Sequence, residues 1–127
     1  MSAPAVVPLR RALSQAMIDR YASASGDFNP IHIDAAFAAT TPMGGTIAHG
    51  MLVLATISEM MTAAFGERWL GSARLDVRFR APARPGDRLT ARAQPAGAEE
   101  GVARYRVECV NQQEEVLISG TAQVALV

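Results

Sequence analysis

The sequence predicts an α+β fold in which a curved antiparallel sheet wraps around one central apolar helix. Three observations carry this expectation. From Met51 to Phe65 only Thr56, Ser58, Glu59 and Thr62 interrupt an apolar run. It is too long for a buried strand, and a helix without a polar stripe needs cover on most sides. After residue 73 the period changes, and four runs place apolar residues at every second position. That alternation marks strands with one buried face. The segments ARPGD and PAGAEEG supply turn chemistry between runs.

The elements follow in order. Residues 6–10 read as a short strand. Ser14 can cap a helix reaching about residue 24, with Met17, Ile18, Tyr21 and Ala22 along one side. Gly26 to Ile33 interrupts it with polar and turn residues, and Pro30 pushes Asn29 out of the helical region, so the chain bends there. Asp34 caps the short helix DAAFAAT. Residues 40–46 form a loop containing Pro42 and Gly44-Gly45, and Gly66 ends the long helix. The inward-facing sets are Leu75, Val77 and Phe79; Leu89, Ala91 and Ala93; Tyr105, Val107 and Cys109; and Val116, Ile118, Ala122, Val124 and Leu126. NQQEE at 111–115 makes the last hairpin connection. One sheet of this length covers only part of the helix, so a second subunit or a longer sheet must cover the rest.

A chain of 127 residues suggests one domain, residues 1–127. Twelve arginines balance twelve acids, and there is no lysine. Nothing in that balance argues for nucleic acid or an acidic polymer. Cys109 is the only cysteine, which excludes an intrachain disulfide and leans towards a reducing, cytoplasmic compartment. MSAPAVVPLRRAL does not read as a signal peptide, and no segment reaches the ~18 apolar residues of a membrane span. Half of the chain is hydrophobic, which hints at an oligomer interface.

GDFNPIHID at 26–34 raises the question of function. Asp27 and His32 stand five residues apart with a proline between them. Alone, the pair reads as a surface turn, a metal site or a catalytic pair. The second of two histidines, His49, lies in TIAHGML just before the apolar run. Two histidines and one cysteine, widely dispersed and without zinc-ligand spacing, argue against a metal centre.

YASASGDFNPIHIDAAFA resembles the hydratase motif of the MaoC-like, R-specific enoyl-CoA hydratases. TIAHGML and the following apolar run resemble that family's central helix, and LGSARLDVRF to APARPGDRLTARA resembles its strand, Gly-Asp turn and next strand. The resemblance covers roughly residues 12–127, although the segment before the first helix is shorter than in many relatives. It implies a hot-dog fold and reversible syn hydration of trans-2-enoyl thioesters to (R)-3-hydroxyacyl thioesters, with no cofactor. It also implies a homodimer, or a heterodimer with a related hot-dog subunit in which this chain is the active partner. The substrate would be carried on coenzyme A or acyl carrier protein.

By the same resemblance Asp27 and His32 match the catalytic acid and histidine, Gly50 the amide holding the thioester oxygen, and Asn29 a polar position in the loop. The chemistry suits them. Aspartate accepts hydrogen bonds and a proton, and histidine exchanges one near neutral pH. The amide of Gly50, at a helix start, has no intrahelical partner and favours negative charge. Asn29 can bond the loop backbone. His49 can position the loop or pack at a subunit boundary, and with Asn29 it is counted among the expected substrate-binding positions. Arg84 and Arg88, near the PGD turn, can meet the phosphates of coenzyme A. A hot-dog acyl-thioesterase and a non-catalytic acyl-binding partner are the alternative readings, since the fold hosts several functions.

Overall fold

The computed structural model describes residues 2–127. Ser14 caps α1 (Gln15–Ser25) by accepting from the Met17 amide, and Gly26, in the left-handed region at φ 78°, closes it. A short helix α2 (Pro30–Ile33) then follows where only a bend was expected. Its signals are present in the sequence: Asn29 accepts from the Ile31 amide as N-cap, and Pro30 takes the first helical position, where no amide is needed. Asp34 caps α3 (Ala35–Ala39) through the Phe37 amide, as expected.

The long helix α4 (Gly50–Phe65) ends at Gly66. An unanticipated helix α5 (Glu67–Ser72) follows, and its buried Trp69 donates from Nε1 to Ser58 Oγ at 2.9 Å. The strands are β1 (Leu9–Ala12), β2 (Arg74–Phe79), β3 (Arg88–Glu99), β4 (Val102–Val110) and β5 (Val116–Ala125). The first strand begins at Leu9 rather than residue 6, because Pro8 has no amide for the ladder. The third runs through PAGAE, which sequence assigned to a turn. It absorbs Pro95 in a register shift before Ala98 and turns at Glu100 and Gly101, whose positive φ values of 53° and 77° suit a tight hairpin.

All pairings are antiparallel, in the order β1-β3-β4-β5-β2. The sheet is open at β1 and β2. It is neither closed nor strongly curled, so the expected wrapping of the helix is wrong. What remains is an α+β, hot-dog-like arrangement in which α4 lies across one face, chiefly against β1, β3 and β4. Geometry explains the error. Five strands at ~4.8 Å spacing span about 24 Å, whereas a full circuit at ~10 Å from a helix axis is about 63 Å. One flank of α4 therefore stays uncovered, and Met51 is 58% exposed.

The covered flank is the core: Ile57, Met60 and Met61 pack with Ile18, Trp69, Leu89, Tyr105 and Ile118. Full burial of such side chains stabilises by about 1.5–3 kcal/mol each. Phe79 departs from its inward parity. At the end of β2 it is 55% exposed and lies against Gly50. Arg11, on the edge strand, pairs with Glu59 of α4.

Tyr105 donates from its hydroxyl to the Pro4 carbonyl at 2.6 Å, tying the N-terminal segment to β4. Tyr105→Phe should cost about 1 kcal/mol in denaturant unfolding. Burial raises the pKa of this phenol. Its contribution to stability is thus full below the ordinary tyrosine range and is lost as pH climbs through the raised folded value.

Candidate active site

Three ligand-type side chains that stand apart in sequence meet where α1, α2 and α4 converge. The ligand atoms of Asp27, His32 and His49 all lie within 4.8 Å of one another. The expectation that the histidines are dispersed is therefore overturned: a pair 17 positions apart in sequence becomes a stack, with centroids 3.9 Å apart and planes inclined by 27°. Stacked rings aim their in-plane lone pairs side by side rather than at one point, a poor match to the tetrahedral geometry of zinc.

Local structure sets each group. Asp27 follows the left-handed cap Gly26, and its Oδ1 accepts from the Asn29 amide at 3.2 Å. Asn29 in turn spends its own Oδ1 on capping α2, which places His32 on that helix. His32 Nδ1 lies 2.8 Å from the Ile47 carbonyl. A carbonyl only accepts, so Nδ1 carries the proton and a neutral ring presents a bare Nε2. That Nε2 is 3.9 Å from Asp27 Oδ2. The imidazole side chain is 12% exposed and the carboxylate 54%, so the pair opens to solvent on the acid's side.

His49 ends the preceding loop, and Gly50 begins α4. No side chain caps this helix start, and the first intrahelical bonds run from Leu52 and Val53 to the His49 carbonyl. The Gly50 amide therefore keeps its donor, at the positive end of a 16-residue helix. Gly50 lines a cleft of about 300 Å³ with Met43, Ile47, Val53, Phe79 and Ile118. Neither Asp27 nor His32 lines it; the link is Ile47, whose carbonyl holds the His32 ring. A larger groove of about 770 Å³ lies on the solvent-facing side of the sheet, beside Arg92, Arg106 and Glu108, away from this cluster. Neither hollow is lined by Asp27, His32 or His49; the smaller one is tied to the cluster through Ile47 and through Gly50, the neighbour of His49.

The arginines separate. Arg84 reaches towards Gly45, in the loop that also contributes Met43 to the cleft. Arg88 instead lines a different groove, with Arg10 and Arg11 at the β1 edge. Two contributors escaped sequence reasoning. Gln15 donates to the His32 carbonyl at 2.8 Å and accepts from Thr46 Oγ1 at 2.8 Å, clamping α1, α2 and the loop. Phe79 covers Gly50. No local pattern distinguishes Gln15 from any other polar residue in a first helical turn. Cys109 is fully buried, its thiol raised in pKa by burial, and accepts from Thr56 Oγ1 at 3.4 Å. A thiol so placed is not an accessible nucleophile.

Residues 3–116 match the family model described as MaoC like domain. The (R)-specific enoyl-CoA hydratase of Aeromonas caviae is 31% identical over 123 residues, covering 93% of this chain and 90% of that protein. The 3-hydroxybutyryl-CoA dehydratase of Methylorubrum extorquens is 34% identical over 121 residues, covering 91% and 74%. The solved (R)-hydratase from A. caviae, described as involved in PHA biosynthesis, superposes with TM-score 0.86 at 28% identity over 98% of both chains.

Proposed function

Because the chain belongs to the MaoC-like domain family, we propose that it is a lyase that reversibly hydrates trans-2-enoyl thioesters to (R)-3-hydroxyacyl thioesters. The carrying observation is the facing of Asp27 Oδ2 and His32 Nε2 at 3.9 Å, with the other nitrogen of His32 held by Ile47. A carboxylate and a bare imidazole nitrogen are both acceptors. One water can donate a hydrogen to each, and its lone pair is then aimed away from both.

The balance of the reaction follows. The water oxygen forms a bond to the β carbon, Asp27 takes a proton, and the alkene electrons move towards the thioester oxygen. That oxygen is stabilised by the Gly50 amide at the helix start, in the manner of an oxyanion hole. The Asp27–His32 pair then delivers a proton to the α carbon on the same face, and the carbonyl re-forms. Dehydration is the same path reversed. Asn29 holds the loop that carries Asp27.

The substrate is a thioester of coenzyme A or of acyl carrier protein, and Arg84, near Gly45 and the cleft, and Arg88, beside the second groove, meet its anionic carrier group. The protein acts as a homodimer, or as the active partner of a related hot-dog subunit, in the cytoplasm, and residues 1–127 are one MaoC-like domain. Exposed Phe28, Phe37, Met43, Met51 and Phe79 on the elements around the site support a covering partner. Among the described residues no helix is long and apolar enough to cross a membrane.

The purified protein should consume trans-2-enoyl-CoA with loss of enoyl absorbance and give the (R)-3-hydroxy product. Release of free thiol with the enoyl absorbance intact would replace this reading with thioester hydrolysis.

A further inference from the structure

His49 is 3% exposed, yet it touches both members of the water-handling pair. Its Nε2 lies 3.0 Å from the Asp27 main-chain carbonyl, so that nitrogen is the donor. Its ring face carries the His32 ring, and Tyr21 tilts against it at 4.8 Å. Its Nδ1 is buried without a hydrogen-bond partner among the described residues. Buried polar atoms are seldom left so. A protonated His49 would place an N–H there facing no acceptor.

From these contacts we propose that His49 is a positioning residue for the hydration described above: it fixes the main chain at Asp27 and the ring plane of His32, and carries no proton in the reaction. The two imidazoles hold opposite tautomers, Nδ1–H on His32 for Ile47 and Nε2–H on His49 for Asp27. This division lets one ring serve as a fixed platform while the other keeps a bare nitrogen for water. His49 also immediately precedes Gly50. The residue that orients the pair is therefore bonded directly to the residue that receives the thioester oxygen, and displacement of one end of the site reaches the other.

The chain has only two histidines, so imidazole nitrogen NMR reads both rings directly. The expected spectrum contains one Nδ1–H and one Nε2–H tautomer. His49→Phe keeps a flat ring under His32 but loses the donor. Its kcat should fall by about tenfold to a hundredfold, as small misplacements of catalytic groups do, with a smaller change in KM. Its melting temperature should stay near that of the wild type, because an apolar ring suits this buried place. His49→Gln, whose amide N–H can reach the Asp27 carbonyl, should recover part of the lost kcat. An Nδ1–H tautomer on His49, or wild-type kcat in His49→Phe, would overturn the proposal. The inference rests on the hydration reading, yet the two fail separately. A wild type without enoyl turnover sinks the reaction, while the tautomer pattern still decides the contact to Asp27.

Discussion

Asp27→Asn is expected to lower kcat for enoyl-thioester hydration by about 10²–10⁴-fold, the usual worth of a general base. The change is nearly isosteric. Asparagine keeps Oδ1, so the 3.2 Å bond from the Asn29 amide survives, and the loop keeps its shape. The side chain is 54% exposed, so no charge leaves or enters the interior. Melting temperature should therefore stay close to wild type. What disappears, in the proposed mechanism, is the ability to take a proton from a water shared with His32. His32→Ala removes the second acceptor and should be comparably damaging. Because both residues hold one water in the proposed mechanism, the double variant should lose much less than the product of the two single losses. Enoyl absorbance in single-turnover and steady-state runs measures all three. Wild-type turnover in both purified single variants would sink the assignment of the pair.

Gly120→Ala should have the largest effect on the fold. Gly120 of β5 pairs with Val77 of the edge strand β2 on one side and Val107 of β4 on the other. A Cβ there would collide with the Asp76 carbonyl oxygen and stand 2.7 Å from the Val77 Cα. Both are backbone atoms, and no flexible side chain can yield. Either β2 moves off the sheet or β5 buckles, at a cost of about 3 kcal/mol or more. Urea denaturation checks this through the midpoint. A variant unfolding at the wild-type midpoint would show that β2 is free to shift. Activity should fall as well, since β2 ends at Phe79, which lies over Gly50.

Much of this protein was legible without coordinates because its signals are local. Ser14, Asp34 and Gly66 announce helix ends through the needs of the first and last turns. The alternation in VARYRVECV marks its buried face because side chains along a strand point to opposite sides. The motif around Asp27 and His32 pointed to water chemistry through its resemblance to the MaoC-like hydratases.

Other features depend on distance across the fold, which sequence spacing does not encode. Alternation puts Phe79 inward, but it ends an edge strand at the very start of α4, where it lies over Gly50 and stays half exposed. The apolar run of α4 demands cover, yet five strands are too narrow to wrap it. Spacing separates His32 from His49, while the packing of α2 against the start of α4 stacks their rings. The sequence by itself determined which groups can do chemistry and which faces must be buried, because residue type and period are properties of short segments. Only the tertiary structure decided which carbonyl meets which ring nitrogen, and hence which histidine is free to bind water, because a tautomer is set by its partners.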